Sequence, residues 1–194
     1  MERAIGLFHD RRQSSPESET ASGTIAEDVR LVEAAKSGDR AAFGRLYSNF
    51  SPMVYGILLS HVSRRDAEDL VHDVFLVALR QLHTLRKVAA FPGWLAMIAR
   101  NRARDHYRRR REVEELSESM AASDDHAGEA GAVLAVIRSL PEAYRETLVL
   151  RLVEGMTGDE IAARTGLTPA SVRVNLHRGM KQLRERLSGS NSHE

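Results

Sequence analysis

Residues 100–111 carry seven arginines (100, 102, 104, 108, 109, 110 and 111) against a single acid, Asp105. Guanidinium groups at that density serve an anion, and the polyanion they fit best is a phosphate backbone. Placed at about 100° per residue on a helix, Arg100, Arg104, Tyr107 and Arg108 form one outward stripe, while Leu95, Ile98 and Ala99 turn inward. Arginines with an interleaved aromatic suit phosphates together with an unstacked base. The same geometry turns Arg102 toward the apolar side, where Asp105 is placed to pair with it. Trp94, at the apolar edge of the helix start, reads as core.

A second basic stretch covers residues 168–187, with Arg173, Arg178, Lys181, Arg184 and Arg186 against Glu185. It follows a short helix (EIAART) and a turn at Gly166, the layout of a helix-turn-helix whose second helix enters the major groove. Val172, Leu176, Leu183 and Leu187 share one side of that second helix. Ser171, Val174, His177, Arg178 and Lys181 share the other. An outward valine among basic residues fits a thymine methyl whose neighbours take base edges and phosphates. Arg173 and Asn175 lie at the flanks, better placed for phosphates. A purely structural helical hairpin is the alternative.

Over residues 66–85 the inward set is Ala67, Leu70, Val71, Val74, Ala78 and Leu85, and the outward set is Asp69, His72, Asp73, Leu76 and Leu79. Leucines among acids on an outer face suit docking onto a basic, partly apolar protein. A bundle helix covering that side explains them equally.

Enzymatic chemistry finds little footing. The chain has no cysteine, which excludes disulfides, thiolate metal sites and a cysteine nucleophile. His61, His72 and His83 recur about three helical turns apart, roughly 16 Å between neighbours and too far to share a metal. No HExxH, phosphate-binding glycine loop or nucleophile elbow occurs. Neither metal nor cofactor is expected, and the chain is not expected to be an enzyme. No apolar run approaches the roughly 20 residues that span a bilayer, and a cytoplasmic location is expected.

The elements that would position these residues are helices. In 194 residues, 28 Lys+Arg nearly balance 27 Asp+Glu, yet residues 112–131 hold seven acids and no Lys or Arg, between the two basic stretches. Two anion-binding bodies separated by an acidic spacer are the simplest organisation. Residues 1–27 are Ser/Thr-rich without periodicity and read as a disordered tail. Residues 28–111 form a helical domain, 112–131 a flexible linker, 132–188 a second helical domain, and 189–194 a tail. Local signals mark the boundaries: Ser37-Gly38-Asp39 as stop and cap, Pro52 as a kink or fresh start, Pro92 and Pro141 as helix openers. Thr157 to Glu160 forms a capping box, and Thr168-Pro169 opens the last helix. The expectation is an all-α chain of two small domains, the C-terminal one a helix-turn-helix.

Taken together the motifs resemble the extracytoplasmic-function sigma factors of bacterial RNA polymerase, over residues 28–187. AEDLVHDVF (67–75) resembles that family's polymerase-clamp-binding helix. FPGWLAMIARN (91–101), with Asp105 and Arg108, resembles the part that melts and reads the minus-10 element. LPEAYR (140–145), Glu160-Ile161-Ala162, Gly166 and VRVNLHRG (172–179) resemble its minus-35-reading domain. Where the family often has Lys and then Ser-Arg, this chain has Arg173, Val174 and Asn175. The resemblance implies minus-10 contacts from Arg100, Asn101, Arg104, Tyr107 and Arg108. It implies minus-35 contacts from Ser171, Arg173, Val174, Asn175, His177, Arg178 and Lys181, and polymerase contacts from Asp69, His72, Asp73, Leu76 and Leu79. The loop at 84–91 would capture a flipped minus-10 base. Core polymerase (clamp and flap) and promoter DNA are the implied partners, with an anti-sigma factor that masks these surfaces. A 20-residue flexible linker spans roughly 25 Å and fixes no distance between the bodies, so a rigid scaffold such as polymerase must set their separation. Two rivals stand: a self-sufficient helix-turn-helix regulator binding duplex DNA as a dimer, and a protein-interaction module whose arginines only balance the acidic linker.

Overall fold

Capping residues set the helix boundaries in the computed structural model, which describes residues 17–116 and 129–190. Gly38, at φ 98°, ends α1 (Glu17–Lys36) in the left-handed region that glycine enters freely. Asp39 then accepts from the backbone N–H groups of Ala41 and Ala42 at 2.8 and 3.1 Å and starts α2 (Arg40–Leu59). Pro52 lies inside α2 and starts no new helix. It is exposed, so its ring faces solvent rather than the core.

Ser63 accepts from the Asp66 N–H and caps α3 (Arg64–Gln81). That helix stops short of Leu85, because a 3-10 turn (Leu82–Thr84) tucks Leu82 and Leu85 into the core. A second 3-10 turn (Val88–Ala90) leads into α4 (Phe91–Leu116). These elements enclose a core of Leu46, Phe50, Ile57, Val74, Phe91 and Leu95.

The second body holds α5 (Glu129–Ser139), α6 (Glu142–Leu152), α7 (Gly158–Thr165) and α8 (Pro169–Ser190). Its buried Ile137, Leu140, Leu148, Leu150, Ile161, Val172 and Leu183 join the same hydrophobic cluster as the core of the first body. Thr157 and Glu160 close a complete capping box at α7, and Gly166 ends it at φ 77°. Among the described residues there is no strand. The two bodies touch: α2 packs on α6, and α4 packs on α7.

Three boundaries differ from the expectation. α1 begins at Glu17, so residues 17–27 are helical where a disordered tail was expected; residues 1–16 lie outside the described residues. Once Leu31, Val32 and Ala35 dock and nucleate the helix, each further N-terminal residue adds a backbone bond at little cost. α4 likewise runs on to Leu116 and α5 starts at Glu129, which trims the linker of 112–131 from both sides; 117–128 lie outside the described residues. α8 extends to Ser190, into the expected tail, of which 191–194 lie outside the description.

Candidate nucleic-acid interface

The helix-turn-helix is built on α6. A Cβ on Gly179 would meet Leu148 and Tyr144 at 3.1 Å, so this glycine lets α8 lie close against α6. Arg151 donates to the Met156 carbonyl at 3.0 Å and holds the turn before α7. With Val172 and Leu183 buried, the opposite side of α8 is outward. Arg173, His177, Arg178 and Lys181 are exposed there, and Val174 is 45% exposed. Asn175 is half-buried. Ser171 is exposed but engaged: its N–H donates to Thr168 Oγ1 at 3.1 Å, and its hydroxyl lies 2.8 Å from the same oxygen. Thr168 therefore caps the helix start, with the Ser171 N–H as the donor it satisfies.

Along α4 the stripe divides. Tyr107 (59% exposed), Arg108 and Asn101 are exposed to solvent, as is Met97, half-exposed one turn before Asn101. Periodicity alone places Met97, Asn101, Arg104 and Arg108 on one face, and that signal could have drawn Met97 into the candidate set. Arg100 departs from the outward reading. It donates from Nε and Nη2 to the two carboxylate oxygens of Glu146 at 2.8 and 2.7 Å, and from Nη2 to the Thr165 carbonyl at 3.1 Å. Its side chain is 24% exposed and that of Glu146 10%. The Glu146 carboxylate holds the Arg100 guanidinium above its ordinary range. Arg104 reaches Glu142 at 3.1 Å, and this hydrogen bond holds the Glu142 carboxyl below its usual range. His61, also near Glu142 and Glu146, is pushed down by burial. Asp105 pairs with Arg108 at 3.5 Å and not with Arg102, although both arginines stand three residues from it.

The acidic helix α3 presents Asp69, His72 and Asp73 to solvent, with Leu76 and Leu79 at 37% and 49% exposure. Tyr47 of α2, stacked 4.5 Å from Phe75, adds an exposed ring that the period of α3 could not disclose. Asp66 accepts from Ser63 Oγ at 2.7 Å and from Arg110 Nη1 at 3.3 Å, tying the start of α3 to α4. Between these helices Lys36 donates to the Leu85 carbonyl at 2.6 Å and braces the 84–91 loop from α1.

What these surfaces offer is exposed cations on α8 and on part of α4, and exposed leucines among acids on α3. Among the described residues no group of three or more His, Asp or Glu gathers to hold a metal, and no helix is long and apolar enough to cross a membrane.

Comparison with known proteins finds two family matches in chain order, "Sigma-70 region 2" over residues 46–113 and "Sigma-70, region 4" over residues 130–183. Among curated proteins, RNA polymerase sigma factor CarQ of Myxococcus xanthus is 33% identical over 169 residues, covering 80% of this chain and 95% of CarQ. ECF RNA polymerase sigma factor BldN of Streptomyces coelicolor is 31% identical over 176 residues, 84% of this chain and 67% of BldN. Among solved structures, CnrH in complex with the cytosolic domain of CnrY superposes with a TM-score of 0.62 at 27% identity, covering 84% of this chain and 98% of that one.

Proposed function

Because the chain belongs to the extracytoplasmic-function sigma factors, with regions 2 and 4 in order, we propose how its exposed side chains divide the work of a transcription initiation factor. Its function is that of an RNA polymerase sigma factor, and its partners are core polymerase and promoter DNA.

In this reading Arg100, Asn101, Arg104, Tyr107 and Arg108 of α4 engage the opened minus-10 strand, the arginines on phosphates and the tyrosine against a base. Arg173, Val174, Asn175, His177, Arg178 and Lys181 of α8 read the minus-35 element, with Ser171 at the capped end presenting the helix start to a phosphate. Asp69, His72, Asp73, Leu76 and Leu79 dock α3 on the polymerase clamp. The chain has no catalytic step of its own and works in the cytoplasm beside polymerase. The solved relative CnrH is held by the cytosolic domain of CnrY, and an anti-sigma partner of that kind is proposed here too.

The observation that carries this assignment is the pairing of an outward basic face on α8, behind a capped helix-turn-helix, with an arginine-rich α4 in the other body. Run-off transcription by core polymerase on a library of genomic fragments, with and without the chain, tests it. Transcripts that start at defined sites only when the chain is added are expected. Equal transcription in both reactions would refute it.

A further inference from the structure

The region 2 match begins at residue 46, so α1 lies outside it. That helix nevertheless does more than cover the core. Its last turn ends in Lys36, a cation where the helix dipole favours one, and the turn through Gly38 leads straight back into α2. From that corner Lys36 Nζ donates to the Leu85 carbonyl at 2.6 Å, 49 residues away along the chain. The same helix packs on the turn Val88–Ala90. α1 therefore holds the approach to α4 at two places.

That approach is short and pinned at both ends. Leu85 and Phe91 are buried, and residues 86–90 span the gap between them. The backbone is extended at Leu85 and again at Lys87, so the Lys36 ammonium satisfies a carbonyl that no helical ladder serves. Between the anchors Arg86, Lys87, Ala89 and Ala90 are exposed. Cations beside small side chains leave room for a flat base and supply the counter-charge for its phosphate.

Resting on the minus-10 assignment of α4, we infer that Lys36 is a positioning residue for promoter reading: its bond to the Leu85 carbonyl fixes where residues 86–90 meet the opened strand, just ahead of the α4 stripe. Lys36 touches no DNA in this role. It sets a backbone segment, and the segment's discrimination between bases follows. A site held to within about 0.5 Å tells bases apart, and a looser one accepts them alike.

Lys36→Met keeps the alkyl stem and removes the donor, while Lys36→Arg keeps a donor. Arg86 and Lys87 are themselves tryptic sites, so limited trypsin digestion of the folded full-length chain reports on the hold, with cut positions read by mass spectrometry. Lys36→Met should speed cleavage after Arg86 and Lys87 about tenfold, and Lys36→Arg should leave it near wild type. Run-off transcription with core polymerase, on a promoter varied base by base through the minus-10 element, then reads the positioning. For Lys36→Met the preference between bases at one minus-10 position should fall about three- to tenfold, with use of the minus-35 element unchanged. Lys36→Arg should restore it. A loss of stability alone would lower all promoters alike.

Unchanged cleavage overturns the hold and the inference with it. Faster cleavage with an intact base preference, or with equal loss on every promoter, overturns the positioning role. A wild-type chain that directs no initiation sinks the functional assignment and the positioning role together, while the cleavage rates still decide whether Lys36 holds the loop.

Discussion

Gly56 of α2 lies directly under Leu150 of α6: a Cβ at position 56 would fall 2.7 Å from Leu150 Cδ2 and 3.0 Å from Glu154 Cγ. No side chain fits there unless α6 retreats, since Leu150 is fully buried and has no free space to turn into.

Gly56→Ala should therefore loosen the two bodies while each stays folded, costing about 1–3 kcal/mol from overpacking. Gly44→Ala in the same helix meets nothing within 4 Å and should stabilise by about 0.5–1 kcal/mol. Thermal unfolding of both variants checks the contrast; equal shifts would remove Gly56 from the seam.

Burial pushes the Glu154 carboxyl up to about 7 from its ordinary 4.5. A raised folded value means the native chain keeps a proton that the unfolded chain has lost. Stability thus falls as pH rises from about 4.5 to about 7 and then levels off. Glu154→Gln should be worth about 1–2 kcal/mol more at pH 8 than at pH 4.5 relative to wild type, after discounting for partial solvent access. Urea unfolding at the two pH values measures it, and a pH-independent difference would count against it.

His61 gives the opposite sign. Its folded value lies below 6.5, so stability is intact above 6.5 and declines as pH falls below it, where the unfolded chain takes up a proton first. His61→Gln should gain on wild type at pH 5 and not at pH 8, read in the same urea series.

Arg178 and Lys181 are exposed on α8 with no core role. Replacing either by Ala should leave the melting temperature unchanged and weaken use of a minus-35 element by about 1–3 kcal/mol where the contact is a base edge. A phosphate contact would instead weaken all sequences alike and lower the salt slope. Competition transcription on paired promoters separates the two.

Leu79 is half-exposed on α3. Leu79→Ala should reduce affinity for core polymerase by about 1–2 kcal/mol without lowering stability. Native gel shift against core enzyme reads it, and unchanged binding would move the docking surface elsewhere.

The helical architecture was legible because its signals are local. Asp39, Thr157 with Glu160, and Gly166 each act within four residues of themselves, and each does in the structure what its type and position imply. The faces of α3 and α8 were legible for the same reason, since a helical period separates Leu79 from Val74, and Val174 from Val172. Where the reading slipped, the neighbour mattered. Asp105 chose Arg108 over Arg102, and α1 grew back to Glu17 once its C-terminal half was docked.

Sequence alone thus determined the helical class, several of the caps and which side of each helix is apolar, because backbone bonding and side-chain period are settled within a turn or two. Only the tertiary structure decided what the outward side of α4 meets. Glu146 stands 46 residues from Arg100 along the chain, and no periodicity ties positions that far apart. Their pairing follows from the bare backbone at Gly56, Gly93 and Gly166, which lets one body settle against the other closely enough for a carboxylate to reach the fork of an arginine.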